Sequence, residues 1–275
     1  MQLALSVRIA EAPGRKDIAQ VPIEDLAEMA RTAGFEGLSM RASVVSVASA
    51  PERVAEVRQL LDRMGLHVSM VTGDLPLAVN DARATAALHD ITPYLDLAEA
   101  LGSRLLRVMM HEDGDITLAR QAADAAAARG LALSHQTHWG SLFETVDEAL
   151  DVLGQIDRSN FGVTFEPANL LACGSAYGPA AIRRLAPHIF NAYYQNLRLD
   201  PGGEATFKSR RRGPVPVRFL AIDDAAGIDP RPLVETLGEV GYDGWFTVHQ
   251  PLLPGQSVEQ AIGEAAMLFR PLLAD

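Results

Sequence analysis

Phe161-Gly-Val-Thr-Phe-Glu-Pro-Ala-Asn169 reads as a short strand that stops abruptly. Val163, Thr164 and Phe165 are strand formers. Pro167 has no N–H to give to a sheet ladder, so the strand ends before it. Glu166 is left at the last strand position, where a carboxylate points out of the end of a sheet. In parallel α/β folds the carboxyl ends of the strands carry the chemistry. The fold and the function both turn on whether other strands end in the same way.

On either side of this stretch a regular beat appears. Strand-like runs at 3–9, 35–41, 66–72, 104–110, 131–137, 161–166, 189–196 and 243–249 alternate with segments of helical spacing. The helical segments are 23–33, 51–64, 81–101, 118–129, 145–156, 179–186, 230–240 and 258–273, the fourth strand being preceded by a long one expected to bend at Pro93. Gly34, Gly65, Gly102, Gly130 and Gly241 stand between a helix and the next strand, as helix C-terminal glycines do. Eight such units predict a single (β/α)8 TIM barrel over residues 1–275. A doubly wound open sheet is the alternative, but Ala10-Glu-Ala-Pro-Gly-Arg15 is a poor phosphate loop after the first strand. The long polar stretch 197–228 after the seventh strand reads as an active-site loop and not as a domain boundary.

Composition narrows the function. The chain has 275 residues, 48% of them hydrophobic, and a net charge of −11. Such a chain repels nucleic acid and anionic membrane surfaces. The lone cysteine, Cys173, permits no internal disulfide and reads as a packed small hydrophobe. The N-terminal residues lack a signal-peptide pattern, and no apolar run approaches the roughly 18 residues of a membrane span. A cytoplasmic enzyme with a small-molecule substrate is expected, with neither nucleic acid nor membrane as partner and a homodimer as the default assembly.

In a parallel barrel alternate strand residues face inward. Ser134, Gln136 and His138 share a face of the fifth strand, and Glu166 tips the sixth. Asn191, Tyr193 and Gln195 share a face of the seventh, with Asn196 beside them. Thr247 and His249 share a face of the eighth, followed by Gln250. A single polar tip is an ordinary rim hydrogen bond. Four in succession at one mouth make a candidate site.

The chain resembles the xylose-isomerase-like TIM barrels, the sugar-phosphate isomerase and epimerase group. The resemblance lies in 34–41, 100–107, 130–138, 161–169 and Gly241-Tyr-Asp-Gly-Trp-Phe-Thr-Val-His249. It implies one divalent metal held by Glu, Asp, His and Glu on the last four strands. Those positions fall here on Gln136, Glu166, Gln195 (or Tyr193) and His249, and each departs from the usual type. The altered set favours Mn, Zn, Fe or Co over Mg, with a metal-free site as the alternative. No nucleotide cofactor is expected.

The chemistry implied is proton transfer next to a carbonyl of a polyhydroxylated or keto compound. His249 is the expected general acid/base, with Glu166 as ligand or partner base and His138 as second candidate. Asn169, Asn196, Arg212 and Gln250 are expected to bind substrate. Lys208, Arg210, Arg211 and Arg212 form a local basic patch suited to a phosphate or carboxylate. The rival readings are a dehydratase or lyase acting on a keto sugar or cyclitol, and a non-catalytic sugar-binding barrel with a decayed metal site. An apurinic endonuclease is disfavoured, because its metal set is richer and the net charge is wrong for DNA.

Overall fold

The computed structural model describes residues 1–274. Eight parallel strands close a barrel: Gln2–Ser6, Gly37–Met40, His67–Val71, Leu105–Val108, Ala132–Gln136, Phe161–Phe165, Ile189–Tyr194 and Trp245–Val248. The first strand pairs with both the second and the eighth, which closes the ring. This is the (β/α)8 barrel that the helix–glycine–strand beat implied. The outer helices bury one apolar stripe each; Leu26, Ala27 and Ala30 of helix Ile23–Ala33 are wholly covered. Gly34 ends that helix in the left-handed region (φ 90°), where a side chain would be strained. No helix among the described residues is long and apolar enough to cross a membrane.

Three expectations need correction. The stretch 81–101 is not one bent helix. It is split among short helices, Ala86–His89 and Thr92–Ala100, and a further one precedes it at Leu75–Val79. Asp74 caps that earlier helix, accepting from the Leu77 N–H at 2.8 Å, and Asn80 ends it at φ 56°. Pro93 opens the third helix rather than bending a long one.

The polar stretch 197–228 is not an open loop. It folds into a three-stranded antiparallel sheet of Leu197–Leu199, Ala205–Ser209 and Gly213–Phe219. Phe207, Val215 and Val217 bury its apolar face. The Glu144 carboxylate fastens the sheet, accepting from the Arg210 N–H at 2.5 Å and the Ser209 hydroxyl at 2.9 Å.

The third correction lies near the start. The first strand ends at Ser6, not Ile9, and runs into a 3-10 turn, Val7–Ala10. A two-stranded hairpin, Glu11–Ala12 with Arg15–Ala19, follows. It packs against the 3-10 turn and the helix Leu75–Val79.

Candidate functional site at the barrel mouth

Glu166 sits where the sequence put it, on the residue after the sixth strand, and it is completely buried. Pro167 both stops the strand and begins a one-and-a-half-turn helix, Pro167–Ala172. That helix carries Asn169 back toward Glu166. The backbone is pinned by Thr137, whose hydroxyl accepts from the Glu166 N–H at 2.8 Å and donates to the Glu166 carbonyl at 3.2 Å.

Three amides hold the Glu166 carboxylate. Gln136 and Asn169 donate to Oε2, the latter at 2.9 Å, and Gln195 donates to Oε1. Burial pushes the Glu166 carboxyl up to about 7, against the opposing pull of Arg8, Arg107, the Gln195 N–H and Lys16. Gln136, Glu166, Asn169 and Gln195, four of the residues singled out in the sequence, thus form one bonded cluster.

His249 also lies at the mouth, but in a setting that keeps it neutral. Its Nδ1 is 2.9 Å from the Ser6 hydroxyl, and its ring stacks on Tyr193 with centroids 4.1 Å apart. Burial, then the charges of Arg8, Arg41, Arg107 and Lys16, hold its pKa well below the usual histidine value. Tyr193 is a packing partner whose hydroxyl lies 2.8 Å from that of Ser39.

His138 is built into the wall. Its Nδ1 donates to the Trp139 carbonyl at 2.6 Å, so Nε2 is the acceptor for the Asn80 amide at 2.8 Å. Burial first, then the charge of Arg107, lowers its pKa well below normal.

The remaining predicted substrate-binding residues do not reach the Glu166 cluster. Asn196 ties down the chain after the cap sheet, donating to the Ala221 and Asp224 carbonyls at 2.7 and 2.9 Å. Gln250 accepts from the Asn196 N–H at 2.8 Å and donates to the Leu220 carbonyl at 2.8 Å. Arg212 donates to the Ala172 carbonyl at 3.0 Å, and Arg211 pairs with Glu148 at 3.2 Å. Arg210 reaches the Ser141 carbonyl at 3.2 Å. The arginines of this basic patch thus contact the barrel wall while staying exposed.

Four basic residues that sequence reasoning passed over lie at the mouth. Arg8 donates to the Gln195 side-chain carbonyl at 2.9 Å and to the His249 backbone carbonyl at 3.1 Å. Arg107 lies in the fourth strand, fully buried, and donates to the Leu77 carbonyl at 3.0 Å and to the Asn80 side chain. Arg41 follows the second strand and pairs with Glu11 at 2.6 Å, both out of water. Lys16 descends from the hairpin to the Ala78 carbonyl at 3.1 Å. Burial leads the causes that lower Arg8 and Arg107 to about 10 and Lys16 to about 7. A signal was present: Arg107 interrupts the apolar run Leu105-Leu-Arg-Val108, and a charged residue inside a strand run is seldom buried without a partner.

The divalent metal that the resemblance implies does not fit these donors. The Glu166 oxygens already accept from three amide N–H groups. The side-chain oxygen of Gln195 is taken by Arg8, and Nδ1 of His249 by Ser6. Gln136 Oε1 is the one acceptor of the set that is buried without a partner. No group of three His, Cys, Asp or Glu side chains suited to a metal occurs among the described residues. A further cation would also enter a mouth that already holds Arg8, Lys16, Arg41 and Arg107, and like charges repel strongly out of water.

Among proteins of curated function none matches the chain in sequence. Solved structures do match in fold. A probable 3-DHS dehydratase, AsbF, from Bacillus anthracis is 13% identical with a TM-score of 0.71, covering 98% of each chain. D-psicose 3-epimerase from Clostridium cellulolyticum H10 is 15% identical with a TM-score of 0.68, covering 99% of each. A xylose isomerase-like TIM barrel protein from Mycobacterium smegmatis, in complex with magnesium, is 17% identical with a TM-score of 0.68, covering 100% of this chain and 96% of that one. The sequence itself matches the family described as xylose isomerase-like TIM barrel over residues 27–272. With the closed barrel and its polar mouth, that match makes this chain a member of the xylose isomerase-like TIM barrel family.

Proposed function

We propose that the protein is an enzyme that moves a proton next to a carbonyl of a small polyhydroxylated or keto compound, in the manner of sugar isomerases and epimerases, with Glu166 as the proton carrier. One observation carries this reading. The only carboxylate of the amide cluster is sealed from water and pushed up to about 7, where it can both take and return a proton near neutral pH.

The surrounding groups suit that role. Gln136, Asn169 and Gln195 fix the carboxylate in one orientation. The unpaired Gln136 Oε1 is a buried acceptor that a substrate hydroxyl can satisfy. Arg8 supplies positive charge for an enolate-type oxygen, which is where a proton-transfer site needs it. No step runs through a metal. His249 and His138 are held neutral and act as hydrogen-bonding groups.

A second reading is elimination, as in a dehydratase. The single proton carrier favours it alongside one-base isomerisation over an epimerisation that needs a base on each face. The test is deuterium incorporation from D2O into a panel of keto sugars, keto acids and keto cyclitols, read by proton NMR. The wild type incorporates deuterium into a panel member and Glu166→Gln does not. Equal incorporation by both removes Glu166 as the proton carrier, and none by either leaves a binding-only barrel.

A further inference from the structure

Among the described residues, three cations of the mouth have no carboxylate partner. The hydrogen bonds of Arg8, Lys16 and Arg107 go to amide and carbonyl oxygens only. Arg107 Nε has no partner at all although it is buried. Arg41 alone is paired, with Glu11. The carboxylates that act on Arg8 are Glu166 and Glu11, and the same two serve Arg107 and Lys16 respectively. Three arginines therefore face two carboxylates, Glu11 and Glu166, which leaves a positive surplus even with Glu166 ionised, and Lys16, lowered to about 7, adds to it as pH falls.

Such an arrangement is costly. Arg107, out of water without an anion, loses hydration that amide and carbonyl dipoles replace only in part, while Arg8 and Lys16 are half-buried. The surplus also stands against a chain of net charge −11, so it is no by-product of a basic composition. The placement has further structure. In the hairpin strand Arg15–Ala19, Arg15 and Asp17 stay outside as a surface pair, while Lys16 turns inward onto the mouth. Arg8 lies over the Phe219 ring of the cap sheet, its guanidinium 5.7 Å from the ring centroid, so its spare N–H groups are held in place by packing.

We infer that Arg8, Lys16 and Arg107 bind an oxyanion of the substrate, a carboxylate or a phosphate, so that the compound worked on by Glu166 is an anion and not a neutral sugar. This rests on the proton-transfer reading above and adds the substrate class to it. Guanidinium groups suit a planar or tetrahedral oxyanion through paired N–H donors, and an ammonium adds a point charge. The anion supplies the partner that Arg107 Nε lacks and neutralises the surplus.

Calorimetric titration of the full-length, EDTA-washed protein tests this. The probes are D-gluconate, orthophosphate and the neutral polyol D-glucitol, in the same buffer with chloride held constant. At least one anion is expected to bind about tenfold or more tightly than D-glucitol. Orthophosphate binding assigns a phosphate, and D-gluconate binding alone assigns a carboxylate. Lys16→Met and Arg8→Met should each weaken that anion about tenfold or more. Lys16 is only half-buried and without an ion pair, so its variant is expected to fold, which circular dichroism checks.

Equal binding of D-glucitol and the anions, no binding of either anion, or wild-type affinity in a folded Lys16→Met overturns the inference. Glu166→Gln separates the two proposals, because it should keep anion binding while losing deuterium exchange. Anion binding without any exchange sinks only the proton-transfer reading. Exchange on neutral keto sugars without anion binding sinks only the substrate class.

Discussion

The Arg8 guanidinium donates to the side-chain oxygen of Gln195 at 2.9 Å, which turns the Gln195 amide N–H onto the Glu166 carboxylate. A residue positioned to offer an oxygen to a metal instead receives a cation on that oxygen and gives an N–H to an anion. At Gln136 the N–H also serves Glu166, while its oxygen is left without a partner. The mouth is organised around one carboxylate with amides and cations about it.

The titration of Glu166 makes stability depend on pH with a definite sign. Its folded-state pKa, about 7, lies above the ordinary 4.5. Between those values the folded chain holds the proton more firmly than the unfolded chain, so the contribution is fully present below about pH 4.5 and is lost as pH rises through about 7. Urea unfolding of wild type relative to Glu166→Gln should show wild type losing on the order of 3 kcal/mol across that window. A flat difference from pH 4.5 to 7.5 would contradict the buried, raised carboxyl.

Replacing Gln136 by Glu puts a second carboxyl beside Glu166. Two buried carboxylates that close cannot both ionise without a large cost. The Gln136→Glu variant should therefore match wild type near pH 5 and lose roughly 2–4 kcal/mol more by pH 8, as measured by chemical denaturation. Loss of equal size at both pH values would mean a packing defect and not charge repulsion.

His249→Phe keeps the stack on Tyr193 and removes the ring nitrogens. Because His249 is held neutral by burial and four nearby cations, its loss should lower the rate of deuterium exchange by less than about tenfold and leave the pH profile in place. A drop of about a thousandfold or more would return the proton-carrying role to His249.

The Glu11–Arg41 pair ties the hairpin to the second strand at 2.6 Å, with the Ser43 hydroxyl adding a bond to Glu11 at 3.3 Å. Removing one partner strands a buried charge. Glu11→Gln should cost about 3–5 kcal/mol, and Glu11→Leu combined with Arg41→Met distinctly less. Thermal unfolding of the three proteins checks the order, and a double variant as unstable as the single one would refute it.

Much of the fold was legible because it is written in local chemistry. Helix-ending glycines such as Gly34, and Pro167 after the sixth strand, fix where units stop whatever surrounds them. Glu166, Gln136, Asn169 and Gln195 were legible for the same reason, since strand tips share one mouth in any parallel barrel. The three-stranded sheet was not, because Ala205–Ser209 is short and mostly polar and Gly213–Phe219 carries Pro214 and Pro216, which speak against a strand. The cations were hidden for another reason. Arg8, Lys16, Arg41 and Arg107 come from four separate segments of the first half and meet only after closure. The consecutive run Arg210-Arg-Arg212, plain in the sequence, instead reaches the Ser141 carbonyl, Glu148 and the Ala172 carbonyl.

The most direct measurement is the titration of Glu166 itself, by carbon-13 NMR of protein labelled at the glutamate carboxyl carbons, with Glu166→Gln for assignment. The account predicts one carboxyl signal with a midpoint of about 7 that disappears in the variant. A Glu166 signal that titrates at or below the ordinary 4.5 would contradict it, because such a carboxylate has no proton to carry at neutral pH.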